Sequence, residues 1–252
     1  MTASLEWAAR VTGGPVRVAR ELRGGTHAVT LLLEAEGHEV VLRQYPPGDD
    51  APAREAAVLA ALDGLDGWAP RVLGVDAGRG LILITRLPGT ADIMPSDPAH
   101  AARELARGLA RIHATPRPAL HDGVRVLGDE ADRVLTHYDY WSGNVLWEGP
   151  KLTGIVDWSG AALAPRGFDV AWCRLDLVLL HGKDIADVFL DAYERAAATT
   201  IPDIRVWDSF ALDSSRDRIE TWEPNYTSLG RTDLTGAELR ARHTRWTGEL
   251  GQ

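Results

Sequence analysis

The amino-acid sequence predicts an α+β protein with two lobes, a small N-terminal lobe built on an antiparallel sheet and a larger, mainly helical C-terminal lobe. Three observations support this prediction. Short β patterns separated by turn residues fill the first 90 residues, Pro88 and Gly89 interrupt them, and helical periodicity dominates the remainder. At about 150 residues per domain, 252 residues correspond to between one and two domains. We therefore place the lobes at residues 1–88 and 89–252.

Five segments of the N-terminal lobe have the composition of strands. Gly24 and Gly25 separate the first two, and Glu36-Gly37 precedes the third, as turns between strands do. The run 46–48 ends the third strand, and the alanine- and leucine-rich segment 51–62, which has no internal glycine, predicts one helix. The predicted strands are residues 16–22, 28–34, 38–45, 71–75 and 81–87.

The C-terminal lobe has helical patterns on both sides of a short β-rich stretch. Leu105, Leu109 and Ile112 recur at helical spacing, whereas residues 137–156 are typical of short strands and loops. The predicted helices are residues 98–114, 168–180, 184–198, 203–212 and 237–246.

Composition excludes several classes of protein. The 27 basic and 36 acidic residues give a net charge of −9, which argues against nucleic acid or an anionic membrane as a partner. A single cysteine, Cys173, excludes a disulfide framework. No apolar run reaches about 18 residues and no signal peptide is visible at the N-terminus, so we expect a cytoplasmic protein. Nothing in the sequence specifies an oligomeric state.

The densest polar cluster in an apolar setting lies in residues 136–158. Asp139 lies five residues before Asn144, and Asn144 lies thirteen before Asp157, across two strand patterns typical of one hairpin. Because a hairpin brings its ends together, we expect Asn144 beside Asp157. Carboxylate and amide oxygens suit Mg²⁺, and phosphoryl transfer uses such metal ligands together with a further carboxylate. Taken singly, each of these residues also suits a turn or a helix cap.

This segment resembles the aminoglycoside phosphotransferase family, which has the two-lobed protein-kinase-like fold. The resemblance is carried by residues 137–144, 155–158 and 167–172, and the order of motifs holds over residues 16–180. It implies that Asp139 is the catalytic base and that Asn144 and Asp157 are magnesium ligands. It also implies that Asp169 braces the catalytic loop.

The resemblance further implies a site for ATP or GTP with Mg²⁺. The backbone of residues 83–87, which include Thr85 and Leu87, would bind the purine, and the turn at Gly24 and Gly25 would cover the phosphates. Taken alone, these two glycines are an ordinary hairpin turn.

Two residues depart from the family pattern. Only Lys151 and Lys183 of the 27 basic residues are lysines, so Arg43 at the end of the third strand takes the place of the usual phosphate-binding lysine, with Glu55 as its partner. Arginine can bind phosphate in a bidentate way, although its fork is bulkier than an ammonium group. A surface salt bridge is the alternative interpretation of this pair. Tyr138 stands where the family more often has glycine.

The sequence therefore supports a nucleotide- and magnesium-dependent phosphotransferase that acts on a hydroxyl of a small molecule. An aminoglycoside-type antibiotic or amino sugar is one acceptor, because the C-terminal segment is rich in acids, although interleaved arginines also fit a solvated helix face. The alternatives are a metabolic kinase for a sugar, amino alcohol or homoserine-like acceptor, and a catalytically weak nucleotide-binding module.

Overall fold

A computed structural model describes residues 2–22, 28–116 and 133–251 of the chain. The chain forms two compact units: unit 1 is Met1–Pro88 with Thr153–Gly160, and unit 2 is Gly89–Leu152 with Ala161–Gln252. The chain thus leaves unit 1 after Pro88 and returns to it for a short segment that includes Asp157. Within the described ranges, no helix is both long and apolar enough to cross a lipid bilayer.

Unit 1 is a five-stranded antiparallel sheet with two helices. Its elements are α1 (Thr2–Thr12), β1 (Arg17–Leu22), β2 (Val29–Ala35), β3 (His38–Gln44), α2 (Ala51–Leu62), β4 (Val72–Asp76) and β5 (Leu81–Thr85). The strand order is β1-β2-β3-β5-β4, with antiparallel pairs throughout. A tight turn joins β2 to β3, since Gly37 adopts φ 80° and Ala35 lies opposite His38.

The core of unit 1 lies between the sheet and α1. Alternating apolar residues of β2, β3 and β5 pack with two residues of α1, and the cluster consists of Trp7, Ala8, Leu31, Leu33, Val40, Leu42, Leu81 and Leu83. The sequence predicts no helix before residue 16, and this is wrong, because α1 occupies Thr2–Thr12. A short helix gains most of its stability from tertiary packing, which the local pattern around Trp7 does not display.

The five predicted strands and the helix Ala51–Leu62 are confirmed, with one difference at the end of β5. The sequence predicts a strand to Leu87, but pairing with β3 stops where Thr85 lies opposite Val40. Arg86 and Leu87 therefore lie outside the hydrogen-bonded ladder, immediately before Pro88.

Unit 2 is mainly helical. Its elements are β6 (Thr90–Ala91), α3 (Pro98–His113), β7 (Arg133–Thr136), β8 (Val145–Glu148), the start of β9 (Lys151–Ile155), β10 (Ala162–Pro165), α4 (Arg166–His181), α5 (Lys183–Ala197), α6 (Ile204–Ser215), α7 (Glu223–Thr227) and α8 (Gly236–Leu250). β7 pairs with β10, and β6 pairs with β8. The predicted helices are confirmed within a few residues, and the short α7 is an addition that the sequence does not predict.

Helix α4 is the centre of unit 2. Almost every residue along it is buried, and it contacts α3, α5, α6 and α8. Its buried polar residues all have partners, since a buried charge without one is costly. The Arg174 guanidinium, for example, donates to the Asp208 carboxylate at 3.0 Å. Cys173 on the same helix is buried, as expected for a packing residue. This rigid helix positions the polar groups described next.

Candidate active site

The Asp139 loop, which we define as residues 137–144, connects β7 to β8 in unit 2. Asp139 itself is exposed, whereas His137 and Tyr140 are buried. The Tyr140 hydroxyl donates to the carbonyl of Leu105 on α3 at 2.8 Å, which attaches the loop to that helix. The loop therefore presents one carboxylate to solvent from a buried frame.

Asp169, in the first turn of α4, holds the start of the Asp139 loop. Its fully buried carboxylate accepts hydrogen bonds from the backbone N–H groups of His137 at 2.7 Å and Tyr138 at 2.9 Å. The His113 ring lies 3.3 Å from the same carboxylate and 2.7 Å from the Tyr193 hydroxyl. These contacts confirm the predicted bracing role of Asp169. They also show that His113, which the sequence places at a helix end, belongs to the same network.

Tyr138 adopts a backbone conformation that favours glycine. Its φ is 71°, in the left-handed region, where a bulky side chain costs of the order of 1–3 kcal/mol. Its ring packs on Phe168 with centroids 4.3 Å apart, and its N–H is bound by Asp169. The departure from glycine is thus accommodated by packing, and the loop keeps its conformation.

Asn144 is tied directly to Asp139. Its Nδ2 donates to the Asp139 Oδ2 and to the Asp139 carbonyl, each at 2.9 Å. Asn144 is only 7% exposed and ends a 3-10 turn that begins at Ser142. Because the amide nitrogen is committed to Asp139, the amide oxygen is the atom that can coordinate a cation. The predicted placement of Asn144 beside Asp157 stays a prediction.

Arg43, Glu55 and Asp157 form a buried ion-pair cluster in unit 1. Arg43 on β3 pairs with Glu55 on α2 through one Nη and donates from the other to the Asp157 Oδ1 at 2.9 Å. Glu55 is fully buried and Arg43 is 7% exposed, so the surface salt-bridge interpretation is wrong. The Tyr45 hydroxyl completes the cluster by donating to the Glu55 Oε2 at 2.9 Å. The period-two spacing of Arg43 and Tyr45 along one strand is the sequence signal for this fourth member.

Burial and charge oppose each other in this cluster. Burial raises the pKa of Glu55 above its usual range, and the Arg43 charge opposes that rise. Burial alone would lower the pKa of Arg43, but Glu55 and Asp157 together raise it above its ordinary value. Burial, followed by the Glu55 charge, raises the pKa of Tyr45. Arg43 is therefore a permanent cation between two acids.

The backbone places Asp157 in an unusual conformation. Its φ is 65°, in the left-handed region, two residues after the end of β9. Besides the bond from Arg43, its Oδ1 accepts one from the Ser159 hydroxyl at 3.0 Å. These two donors fix the orientation of the carboxylate.

Part of the backbone predicted to bind the purine, residues 83–87, already forms hydrogen bonds within the protein. The Thr85 N–H donates to the Arg71 carbonyl, and the Thr85 hydroxyl accepts from the Arg71 N–H, both at 2.9 Å. Leu87, in contrast, has no hydrogen bond through its backbone to any part of the chain that the structure describes. Its side chain packs against Gly154 so closely that a Cβ there would lie 2.7 Å from it. Gly24 and Gly25 lie outside the described residues.

Each of the two predicted magnesium ligands has a side-chain oxygen of the kind that Mg²⁺ takes as a ligand. Among the described residues, no group of three or more His, Cys, Asp or Glu side chains is placed to hold a metal. The magnesium ligands predicted from the sequence are not such a group, because they are one amide oxygen, of Asn144, and one carboxylate, of Asp157. Mg²⁺ commonly takes only one or two protein carboxylates and keeps waters and substrate phosphates as its other ligands.

The chain matches a family model and several solved structures. The model of the phosphotransferase enzyme family, APH, matches residues 18–124 and 119–210. Macrolide 2'-phosphotransferase MphH from Brachybacterium faecium is 19% identical, with a TM-score of 0.66 and 97% of each chain covered. Aminoglycoside phosphotransferase APH(4)-Ia is 16% identical, with a TM-score of 0.62 and coverage of 96% of this chain and 99% of its own.

A third solved structure is spectinomycin phosphotransferase APH(9)-Ia in complex with ADP and spectinomycin. It is 13% identical, with a TM-score of 0.60, and the match covers 97% of this chain and 98% of its own. At identities this low, the structural matches show a shared fold and nothing more specific. That fold confirms the predicted two-lobed α+β class. No curated protein sequence matches the chain.

Proposed function

We propose, from the premise that this chain belongs to the phosphotransferase enzyme family, that it moves the γ-phosphoryl group of ATP or GTP to a hydroxyl of a small molecule. The observation that carries the proposal is the exposed Asp139 carboxylate, oriented by the Asn144 amide on a loop that Asp169 braces. We also propose that the reaction uses a nucleotide with Mg²⁺ and that the protein is cytoplasmic.

In the proposed reaction, Asp139 orients the acceptor hydroxyl and takes its proton as the oxygen bonds to the γ-phosphorus. The bond from that phosphorus to its bridging oxygen breaks, and the nucleoside diphosphate leaves with the electron pair. The Asn144 amide, which donates to the Asp139 Oδ2, limits the carboxylate to one orientation. A magnesium ion bound to Asn144 and Asp157 would supply positive charge to the phosphates. Positioning and charge neutralisation provide most of the rate enhancement in such reactions.

Arg43 has two tasks in this proposal. Its charge, which both Glu55 and Asp157 maintain, favours the phosphates of the nucleotide. Its bond to the Asp157 Oδ1 also fixes the direction of the carboxylate that would hold the metal. Arginine can do both because its planar fork offers several donors in fixed directions, whereas a lysine ammonium is one compact charge.

The same contact favours a second candidate, a nucleotide-binding module with weak catalysis. The Arg43 guanidinium bonds to the Asp157 Oδ1, an oxygen that a metal ion could otherwise take. Nucleotide binding without transfer to any acceptor would support this candidate. Transfer to one acceptor would exclude it.

The acceptor surface that we propose is an aromatic row beside Asp139. It starts at Tyr138, which precedes Asp139, and continues through successive ring contacts at centroid distances of 4.3, 6.1 and 6.1 Å to Phe168, Trp172 and Trp222. Three of the four rings are partly exposed, since only Phe168 is buried. Such a row favours an acceptor with a flat or apolar face.

Charge near the aromatic row disfavours a polycationic acceptor. The Arg218 guanidinium lies 5.9 Å from the Trp172 ring and 5.8 Å from the Trp222 ring, in the position where a ligand cation would be recognised. Several acids of the C-terminal segment are paired with basic residues, as in Asp213 with Arg216 and Glu220 with Arg240. We therefore favour a neutral or anionic metabolite or antibiotic over an aminoglycoside as the acceptor.

The experiment that tests the proposal is nucleotide consumption over a panel of hydroxyl-bearing compounds. The panel contains aminoglycosides, macrolides, sugars, amino alcohols and hydroxy amino acids, each with ATP and with GTP. We expect one compound to gain the mass of one phosphate in the presence of Mg²⁺. No mass gain on any compound, with nucleotide binding intact, would leave the binding-module candidate.

Replacing Trp222 with alanine is expected to raise the KM for the acceptor roughly tenfold with little change in kcat, because one exposed apolar face is lost. Steady-state kinetics with the acceptor found in the panel provide the measurement. Trp222→Phe is the matched control, since it keeps an aromatic face and should keep the KM within a factor of about two. An unchanged KM in Trp222→Ala would remove Trp222 from the acceptor surface.

A further inference from the structure

The end of the Asp139 loop has an anchor of its own, which the resemblance does not assign. The Asp176 Oδ2 accepts hydrogen bonds from the Ser142 hydroxyl at 2.9 Å and from the Ser142 N–H at 3.3 Å. The Tyr226 hydroxyl donates to the other oxygen, Oδ1, at 3.1 Å. All three residues are buried, at 4% exposure or less. A buried carboxylate that accepts three bonds holds its donors firmly.

The two anchors of the loop share one face of α4. Asp169 and Asp176 are seven residues apart, which is two helical turns, so their side chains project in the same direction. Asp169 binds the N–H groups of His137 and Tyr138 at the start of the loop, and Asp176 binds Ser142 near its end. Asp139 lies between the two anchored points.

We infer that Asp176 is a positioning residue for phosphoryl transfer, which acts through Ser142 and Asn144 on the orientation of Asp139. Ser142 begins the 3-10 turn that Asn144 ends, so fixing Ser142 fixes the turn. The Asn144 Nδ2 then donates to the Asp139 Oδ2 and carbonyl. This inference rests on the proposed function, since it concerns the same carboxylate.

Tyr226 connects this network to a part of the chain beyond the family match. The match ends at residue 210, whereas Tyr226 lies on α7. Besides its bond to Asp176, the Tyr226 ring contacts Trp141 edge-on at a centroid distance of 5.7 Å. The C-terminal segment, which resembles no motif in the sequence, therefore contributes a support to the Asp139 loop.

The charge state of Asp176 agrees with this role. Burial raises its pKa to about 6, while the bonds from Ser142 and Tyr226 oppose the rise and the Asp139 charge adds to it. The other titratable groups whose charges interact with this network are Cys173 and Arg231. At neutral pH and above, Asp176 is thus ionised and can accept all three bonds.

The raised pKa also predicts that replacing Asp176 lowers activity without lowering stability. Because the folded pKa of about 6 exceeds the ordinary value of 3.8, the folded protein binds more protons than the unfolded chain between these values. The contribution of Asp176 to stability therefore falls as pH rises through that window. Asp176→Asn, which cannot ionise, should melt at or above the wild-type temperature at pH 8 while its kcat falls.

The test uses three variants that each remove part of the network: Asp176→Asn, Ser142→Ala and Tyr226→Phe. We expect kcat to fall by about 10- to 100-fold in Asp176→Asn and less in the other two, as when a reacting group is displaced by a fraction of an ångström to 1 Å. The KM for nucleotide should stay within a factor of about three, because nucleotide-binding groups are unchanged. Adding Ser142→Ala to Asp176→Asn should cost little more, since both act through one contact.

Ser215→Ala is the matched control. Ser215 is also buried in unit 2, and its hydroxyl bonds to the His243 ring at 3.0 Å and to the carbonyls of Ala211 and Leu212, which all lie outside the Asp139 loop. Its loss should leave kcat unchanged. Wild-type kcat in Asp176→Asn would overturn the inference, and so would fully additive losses in the double variant. If the wild type transfers phosphate to no acceptor, the proposed function fails first and this inference fails with it.

Discussion

Replacing Asp139 with alanine is expected to lower kcat for phosphoryl transfer roughly a thousandfold, within the range found for general bases. Asp139 is the exposed residue of a loop whose other residues are buried or half-buried, and Asn144 orients its carboxylate. Nucleotide affinity should persist, because Arg43, Glu55 and Asp157 are untouched by the change. Single-turnover phosphate transfer to the acceptor and direct calorimetric titration with nucleotide measure the two quantities separately.

Asp139→Asn removes the base but keeps an oxygen that can accept the orienting hydrogen bond. The asparagine oxygen can still accept the hydrogen bond from the Asn144 Nδ2, but it cannot take a proton from a hydroxyl. We expect kcat as low as in the alanine variant together with an unchanged melting temperature. Asp184→Ala, which removes an exposed carboxylate from α5, is the control and should retain full kcat. Full activity in either Asp139 variant would remove Asp139 from the reaction.

Local sequence is enough to single out the Asp139 loop, because its parts are close together in the chain. Asp139 and Asn144 are five residues apart, and Gly143 between them leaves room for the Trp141 ring, since a Cβ at Gly143 would lie 2.3 Å from it. Asp169 is more distant, but it opens a strongly apolar helix at a position where its carboxylate can accept N–H groups. The resemblance to a family then assigns a role to each of these residues.

The remaining parts of the site are absent from the sequence analysis for a physical reason. The bond from Tyr226 to Asp176 joins residues 50 positions apart, and the bond from Arg43 to Asp157 joins residues 114 positions apart. Only tertiary packing brings such residues together, and no periodicity distinguishes Asp176 from the other acids in its segment. The same reasoning applies to α1, whose Trp7 is buried only when the sheet is present.

The scarcity of lysine has a structural counterpart in the buried cluster. Arg43 reaches two carboxylates at once, one through each Nη, and a lysine in its place would present one ammonium group. Glu55 is fully buried, so its charge depends on Arg43 and on the Tyr45 hydroxyl. The cluster therefore supports the fold of unit 1 as well as the proposed nucleotide site.

Arg43→Ala is accordingly expected to destabilise the protein by about 3–5 kcal/mol and to abolish measurable nucleotide binding, because it leaves the Glu55 carboxylate buried without its cation. Denaturant unfolding monitored by fluorescence and by circular dichroism gives the stability. Arg17→Ala, which breaks the exposed pair with Glu34, is the matched control and should cost less than about 1 kcal/mol. A cost for Arg43→Ala no larger than that of the control would contradict the buried-pair interpretation.

A second substitution distinguishes lost charge pairing from lost packing. Adding Glu55→Gln to Arg43→Ala removes the unpaired charge, so most of the stability should return while nucleotide binding stays absent. Burial already raises the pKa of Glu55, so its pKa is higher in the folded protein than in the unfolded chain. The folded protein therefore binds more protons than the unfolded chain near that pKa, and its stability rises as pH falls. The deficit of Arg43→Ala should therefore shrink between pH 8 and pH 5, and this shrinkage should disappear in the double variant, which has no carboxyl group at position 55. A deficit in Arg43→Ala that is independent of pH would assign the effect to packing alone.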